Sequence, residues 1–252
     1  MNKTKKFELD DGTYIRYREE GSGEPLLLLH TIRNRIEYSD KLLPYLTKRF
    51  KVYVVDLPGH GDSSINKKTN YDQNFMTQSI VSFIEHLNLK NLTIAGESIG
   101  AVLSATIAKK IPNRVKKIFC FNPYDYDKLF AQGVMRGNFM AFFLLFHVSL
   151  PFGLGVFFAA LESFPTLWII FRGGVHKKSA VTSEYIKLLC TSTKKTGFIY
   201  HERNVFQNHK SWLNDGSLYK DLNTPVTLIY GESDWSKKDE KLNTMKALNL
   251  NS

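Results

Sequence analysis

The stretch Leu92-Thr93-Ile94-Ala95-Gly96-Glu97-Ser98-Ile99-Gly100 joins a short apolar run, a glycine-flanked serine and the start of an apolar helical pattern. The apolar run is typical of a buried β-strand, and the residues after Ser98 continue with apolar side chains at helical spacing. A serine at such a strand-to-helix turn has a strained backbone that projects its hydroxyl outward, and flanking glycines let the strand and helix approach closely. The pattern therefore predicts that Ser98 is a nucleophile. A purely helix-capping serine is the alternative.

Working outward from this turn, apolar runs and helical patterns alternate along the chain. Runs that are apolar at successive positions suit strands covered on both faces, as in a parallel sheet. Strands that alternate with helices imply βαβ units, so the sequence predicts an α/β fold with a mostly parallel sheet flanked by helices. A hairpin over 7–19 is expected at the sheet edge. The predicted strands are 26–29, 52–55, 92–95, 115–121 and 226–230, and the predicted helices are 36–48, 73–87 and 98–111.

Length and composition exclude several classes of protein. A chain of 252 residues suits one domain. The net charge of +10 comes from lysine pairs scattered along the chain, with no nucleic-acid-binding motif beside them, so we expect no nucleic-acid partner. Two cysteines exclude a disulfide framework, and the basic N-terminus lacks the apolar core of a signal peptide. We therefore expect a cytoplasmic protein.

From about residue 127 to 221 the alternation stops, which indicates a helical lid inserted before the strand at 226. Residues 139–161 contain no Asp, Glu, Lys or Arg, but Pro151 and Gly153 divide this segment into two short pieces. We expect two lid helices, with a transmembrane span as the alternative and membrane-surface contact through the lid as a further option. The lid rings are expected on an apolar underside that favours apolar acyl chains: Phe139, Phe142, Phe143, Phe146, Phe157, Phe158 and Trp168.

Four motifs in this order resemble the α/β-hydrolase superfamily over nearly the whole chain. A smaller group within it carries segments similar to 30–33 (His-Thr-Ile-Arg) and 122–126 (Asn-Pro-Tyr-Asp-Tyr). The resemblance implies a serine hydrolase that acts on a small acyl substrate and needs neither a metal nor a cofactor. The four motifs are Leu28-Leu29-His30, Asp56-Leu57-Pro58-Gly59-His60-Gly61-Asp62-Ser63, Gly96-Glu97-Ser98-Ile99-Gly100 and Gly231-Glu232-Ser233-Asp234.

The resemblance also implies roles for single residues. Asp234 matches the acid that orients the catalytic histidine, with a turn-capping role as the alternative and Asp125 and Asp127 as other possible acids. Ile32 matches the residue whose N–H completes the oxyanion hole, which the N–H of Ile99 at the helix start can also form. His30, Gly96 and Gly100 are expected to support the site from behind. Thr31 departs from the glycine usual after this histidine, and its branched side chain makes an unusual backbone angle before the Ile32 donor costly.

The base of the triad is the missing component. The superfamily places its histidine after the acid, but only 18 residues follow Asp234 and none is a histidine. We expect a truncated form or a degenerate relative with little turnover, with His201 or His209 from the lid as the alternative base.

The nucleophile type narrows the chemistry to three options. Serine points to acyl transfer through an acyl-enzyme, so we expect hydrolysis of a carboxylic ester or related acyl group. An acyltransferase would use the same residues. A non-catalytic binding protein of the same fold is the third option.

Overall fold

A computed structural model describes residues 4–250, apart from the side chain of Phe152. Seven strands form one sheet in the order β1-β2-β4-β3-β5-β6-β7, in which β1 and β2 are antiparallel to their neighbours and the remaining pairs are parallel. This arrangement confirms the predicted α/β fold with a mostly parallel sheet and an edge hairpin. The strands are β1 (Lys5–Glu8), β2 (Tyr14–Glu20), β3 (Glu24–Leu29), β4 (Phe50–Val55), β5 (Leu92–Glu97), β6 (Val115–Phe121) and β7 (Val226–Ile229).

The helices follow the predicted order with one exception. The predicted helix 36–48 is a 3₁₀ turn at Ile36–Ser39 followed by a single short helix, because Pro44 has no backbone N–H and fits only the first turn of a helix. The α-helices are α1 (Leu43–Leu46), α2 (Gln73–His86), α3 (Ile99–Lys110), α4 (Gln132–Gly137), α5 (Phe139–Ser149), α6 (Phe152–Ala160), α7 (Phe164–Gly173), α8 (Ser183–Thr193), α9 (Phe198–Gln207) and α10 (Lys238–Ala247).

Apolar side chains cover both faces of the sheet, as the continuous apolar runs predict. On one face Leu27 and Leu29 of β3 pack in a large buried cluster with residues of α2 and α3. On the other face Leu26 and Leu28 pack against Ile36 and the region around α1. Successive strand residues therefore pack in different layers of the core. The carboxyl ends of β3, β5, β6 and β7 lie side by side.

The segment between β6 and β7, here called the cap segment (127–221), contains α4 to α9. Its apolar stretch forms α5 and α6, which break at Leu150 and Pro151. Within residues 4–250 no single helix is long and apolar enough to cross a membrane. Two consecutive helices, Gly153–Ala160 and Phe164–Gly173, are together long and apolar enough by length and composition alone, and they are bent by 88° at the break between them.

Candidate active site

Ser98 occupies the turn between β5 and α3 in a backbone conformation that serine rarely adopts, with φ 58° and ψ −117°. Its N–H donates to the carbonyl oxygen of Phe121 on β6 at 2.9 Å, and its own carbonyl oxygen accepts from Ala101 in the first turn of α3 at 3.1 Å. The Ser98 hydroxyl makes no capping hydrogen bond to that turn. Backbone contacts thus hold the strained conformation, and the hydroxyl is not used as a helix cap.

The glycines that flank Ser98 are required by close packing. A Cβ atom at Gly96 would lie 2.0 Å from the carbonyl oxygen of Gly100, and one at Gly100 would lie 2.4 Å from the carbonyl oxygen of Leu29. These are backbone atoms, so they cannot move aside as a side chain can. The two glycines let β3, β5 and α3 meet directly below the serine.

Gly100→Ala should lower the free energy of unfolding by about 2–3 kcal/mol, because the added methyl group overpacks against the Leu29 carbonyl. The matched control is Gly153→Ala in α6, where a Cβ atom would meet nothing within 4 Å and alanine favours the helix. Urea unfolding followed by circular dichroism measures both variants. Equal stability of the two variants would contradict the tight packing described here.

The four residues predicted as catalytic or oxyanion-hole groups line one cavity of about 670 Å³: Ser98, Ile99, Ile32 and Asp234. Cap-segment side chains such as Phe130, Leu145 and Phe206 line it as well. Ile99 is the first residue of α3, and N–H groups of a first helical turn have no partner within the helix. The cavity therefore brings together the serine, an unpaired helix start and an apolar wall.

Ile32 lies in a turn that resolves the difficulty expected at Thr31. The N–H of Asn34 donates to the carbonyl oxygen of Thr31 at 3.3 Å, and the residue with positive φ in this turn is Arg33, at 60°. This arrangement resembles a type II β-turn, in which only the third residue needs positive φ. Thr31 is not among the residues with positive φ, so its branched side chain adds no positive-φ strain there.

His30 supports this turn from behind the cavity. Its Nε2 accepts from the N–H of Leu57 at 3.0 Å, and its Nδ1 lies 2.6 Å from the carbonyl oxygen of Thr31, which a protonated Nδ1 would satisfy. Burial lowers the pKa of His30, which favours this neutral form. Both ring nitrogens are occupied, so His30 holds the turn and has no nitrogen free for proton transfer.

Arg33 connects the turn to the cap segment through a buried ion-pair network that the sequence did not reveal. Its guanidinium pairs with Glu162, which follows α6, and with Glu202 in α9, and all three side chains are at most 5% exposed. One cation faces two carboxylates, and burial raises the pKa of Glu162 to about 8. No local sequence pattern connects these residues, since they are 129 and 169 positions from Arg33.

Asp234 lies at the cavity wall, but part of its carboxylate is used locally. Its Oδ1 accepts from the N–H of Ser236 at 2.9 Å and from the Ser236 hydroxyl, which is the turn-capping arrangement considered as the alternative. The strand end that carries it is held by Asn122, whose Oδ1 accepts from the N–H of Gly231 at 2.9 Å. Among the described residues, Oδ2 of Asp234 makes no hydrogen bond and is free to orient a base.

The two other candidate acids differ in position. Asp125 is buried outside the cavity, where it accepts from the Thr244 hydroxyl at 3.0 Å, and burial raises its pKa to about 6. Asp127 lines the cavity and accepts from the hydroxyl of Tyr124 and the N–H of Gly133. Both carboxylates therefore have structural partners of their own.

The histidines do not assemble into a triad within residues 4–250. No histidine nitrogen there hydrogen-bonds to Ser98, and the cavity is lined by His176 and His209. The ring of His201 is instead buried beside His60, with Nε2 3.2 Å from the carbonyl oxygen of Pro58, and burial lowers its pKa to about 3. In the same part of the chain no cluster of three His, Cys, Asp or Glu side chains could hold a metal ion.

The expectation about the lid rings is wrong, because none of the seven predicted aromatic side chains lines the cavity. The inward faces of α5 and α6 carry Ala141, Leu145 and Ala159 instead. Both helices are apolar around their whole circumference, so sequence periodicity could not indicate which face points inward. The aromatic rings that line the cavity come from elsewhere in the chain: Tyr38, Tyr124, Tyr126, Phe130, Phe171, Phe206, Trp212 and Trp235.

Three further cavity residues were not singled out in the sequence. Glu97 lies next to Ser98, and burial raises the pKa of its carboxyl group, which faces the Tyr38 hydroxyl. Ser233 also lines the cavity, so Ser98 is not its only serine. Glu97 and Ser233 lie inside two of the family motifs, so the sequence could have indicated that they are near the site. Tyr38 lies in no motif, and no sequence pattern indicated its position.

Comparisons with known proteins point to one family. A sequence model described as alpha/beta hydrolase fold matches residues 24–146. The (E)-2-((N-methylformamido)methylene)succinate hydrolase of Acinetobacter baylyi is 30% identical over 119 residues, which are 47% of this chain and 45% of the relative, so the chain spans less than half of that protein. The uncharacterized hydrolase YugF of Bacillus subtilis is 22% identical over 91% of this chain and 80% of its own. Among solved structures, ALR0039 from Nostoc sp PCC 7120 superposes with a TM-score of 0.81 at 21% identity, covering 99% of this chain and 88% of that one.

Proposed function

We propose that this chain, which matches the α/β-hydrolase model over residues 24–146 and has the same fold, is a serine hydrolase that attacks an apolar ester or related acyl group through Ser98. One observation carries the proposal: Ser98 has a strained, positive-φ backbone at the wall of a large apolar cavity, and its hydroxyl makes no capping bond. Residues with such strain persist where the surrounding structure supports them, and they cluster at active sites.

The mechanism follows from the groups around Ser98. Its Oγ attacks the substrate carbonyl carbon while its proton passes to a base, and the negative charge collects on the carbonyl oxygen. The backbone N–H groups of Ile99 and Ile32 would stabilise that oxyanion. Collapse expels the alcohol with a proton, and water then attacks the acyl-enzyme to release the acid.

The substrate class follows from the charges of the cavity. Its wall is mostly apolar, and its lining residues include the acidic side chains Glu97, Asp127, Glu232 and Asp234. Arg33 is the only lysine or arginine among these lining residues, and its guanidinium is already paired with Glu162 and Glu202. A substrate carboxylate would find no free cation there, so we propose an uncharged acyl group, unlike the succinate in the name of the Acinetobacter relative.

Within residues 4–250 no histidine hydrogen-bonds to Ser98, as the base of this mechanism would. His30 and His201 are buried and hydrogen-bonded outside the cavity, and the cavity histidines have other contacts. The ring of His209 packs on Phe130 at 5.2 Å between centroids, and Nδ1 of His176 is 3.4 Å from the Ser233 hydroxyl. We therefore propose that this chain is impaired in proton transfer and turns over slowly.

Since Cys120 and Cys190 are free thiols, we propose that the protein is cytoplasmic.

A fluorophosphonate probe should label this chain slowly but selectively at Ser98, because the probe reacts with a serine that has an oxyanion hole. Mass spectrometry of the labelled peptides identifies the site. Ser98→Ala should abolish labelling, and the matched control Ser233→Ala should retain it. Labelling that persists in Ser98→Ala, or no labelling at all, would favour a non-catalytic binding protein. An acyltransferase would show the same labelling but would transfer the acyl group to an added alcohol in preference to water.

A further inference from the structure

The cap segment exposes an apolar surface on the side of α5 and α6 that faces away from the cavity. On α5 the exposed side chains Phe139, Phe143 and Phe146 recur at helical spacing. Leu154 and Phe157 on α6, with Leu161 directly after this helix, do the same. We call these six residues the apolar ridge. Their exposed fractions range from 42% to 66%, which is high for rings and leucines on adjacent helices.

Ring contacts make the ridge one continuous surface. His147 packs on Phe143 of α5 at 4.1 Å and on Phe158 of α6 at 4.4 Å, and Phe158 in turn packs on Phe157 at 5.6 Å between centroids. No Asp, Glu, Lys or Arg interrupts residues 139–161. The opposite side of α5, with Ala141 and Leu145, already lines the cavity. The fold therefore buries only one apolar face of α5, and on the second face Phe139, Phe143 and Phe146 remain 42–66% exposed.

The charge of the cap segment indicates what covers the ridge. The cap segment contains eleven Lys and Arg against six Asp and Glu, in a chain with a net charge of +10. Three of the six acids, Asp127, Glu162 and Glu202, are buried and do not reach its surface. Exposed apolar rings on a segment with an excess of basic residues are complementary to an anionic lipid interface. Two copies joined at this surface would bring like charges together.

We propose that the apolar ridge docks this protein on an anionic membrane surface. Phe139, Phe143 and Phe157 enter the boundary between headgroups and acyl chains, while the lysines and arginines of the cap segment contact the anionic headgroups. Because α5 also lines the cavity, docking brings the cavity wall next to the lipid surface. This docking does not depend on the chemistry at Ser98, so Ser98→Ala should bind vesicles as the unchanged chain does.

The experiment is flotation of the full chain with vesicles of phosphatidylcholine alone or mixed equally with phosphatidylglycerol. We expect binding to the mixed vesicles, weaker binding to phosphatidylcholine alone, and about 30-fold weaker partition for the double variant Phe139→Ser with Phe157→Ser. The control is Tyr45→Ser, since Tyr45 on α1 is 72% exposed and lies outside the cap segment. Thermal unfolding checks that each variant is folded.

Three results would overturn the proposal. The first is that the double variant binds the mixed vesicles as well as the unchanged chain does. The second is that the unchanged chain binds both vesicle types equally. The third is a dimer, seen by light scattering, that the double variant abolishes while no vesicle binding occurs. In that case a second copy covers the ridge.

Discussion

Hydrolysis of p-nitrophenyl butyrate by this chain should stay within about tenfold of the rate of its own Ser98→Ala variant. The reason is that a nucleophilic serine without its base loses most of its rate enhancement. In serine proteases, removal of the histidine alone lowers kcat about 10⁶-fold, as much as removal of the whole triad. Within residues 4–250 no histidine hydrogen-bonds to Ser98, so the chain should behave like such a variant. Initial rates of p-nitrophenol release measure the difference.

Free imidazole, added to the same assay, should replace the missing base. The cavity of about 670 Å³ leaves room for a small base beside Ser98. Added imidazole should therefore raise the rate of the unchanged chain by about 10²-fold, the lower end of the contribution of general base catalysis. Ser98→Ala in the same buffer gives the rate of hydrolysis by imidazole itself. A large loss of turnover in His209→Ala or His176→Ala without imidazole would instead identify a cavity histidine as the base.

Arg33→Met should lower the free energy of unfolding by about 3–5 kcal/mol, the usual cost of breaking a buried ion pair. The substitution leaves Glu162 and Glu202 buried without their cation and detaches the cap segment from the turn that carries Ile32. Urea unfolding measures the loss, and a lower rate of fluorophosphonate labelling at Ser98 would report the displaced turn.

Two further variants separate charge from packing in this network. Arg172→Met removes an arginine that lies over the Trp168 ring at 4.7 Å, and it should cost only about 0.5–1 kcal/mol. Arg33→Met combined with Glu162→Gln and Glu202→Gln should recover part of the loss, because no buried charge is then unpaired. A cost for Arg33→Met no larger than that for Arg172→Met would show that the network contributes little to stability.

Local sequence determined the strands, two long helices and the position of Ser98. Each of these depends on neighbours: apolar runs specify strands covered on both faces, and glycines at 96 and 100 permit the close approach below the serine. The prediction over 36–48 failed although the information was also local, because helical periodicity was given more weight than Pro44. The order of motifs also indicated which strand ends carry Ser98 and Asp234.

Only the tertiary structure decided how the cavity wall and the cap segment are arranged. Helices α5 and α6 are apolar on every side, so their orientation depends on which face packs better against the rest of the protein, and the small side chains of Ala141 and Ala159 turned inward. The pairing of Arg33 with Glu162 and Glu202 joins residues more than 120 positions apart. A charged residue carries no information about its partner in its own sequence neighbourhood, because ion pairing is decided by which side chains the folded backbone brings within contact.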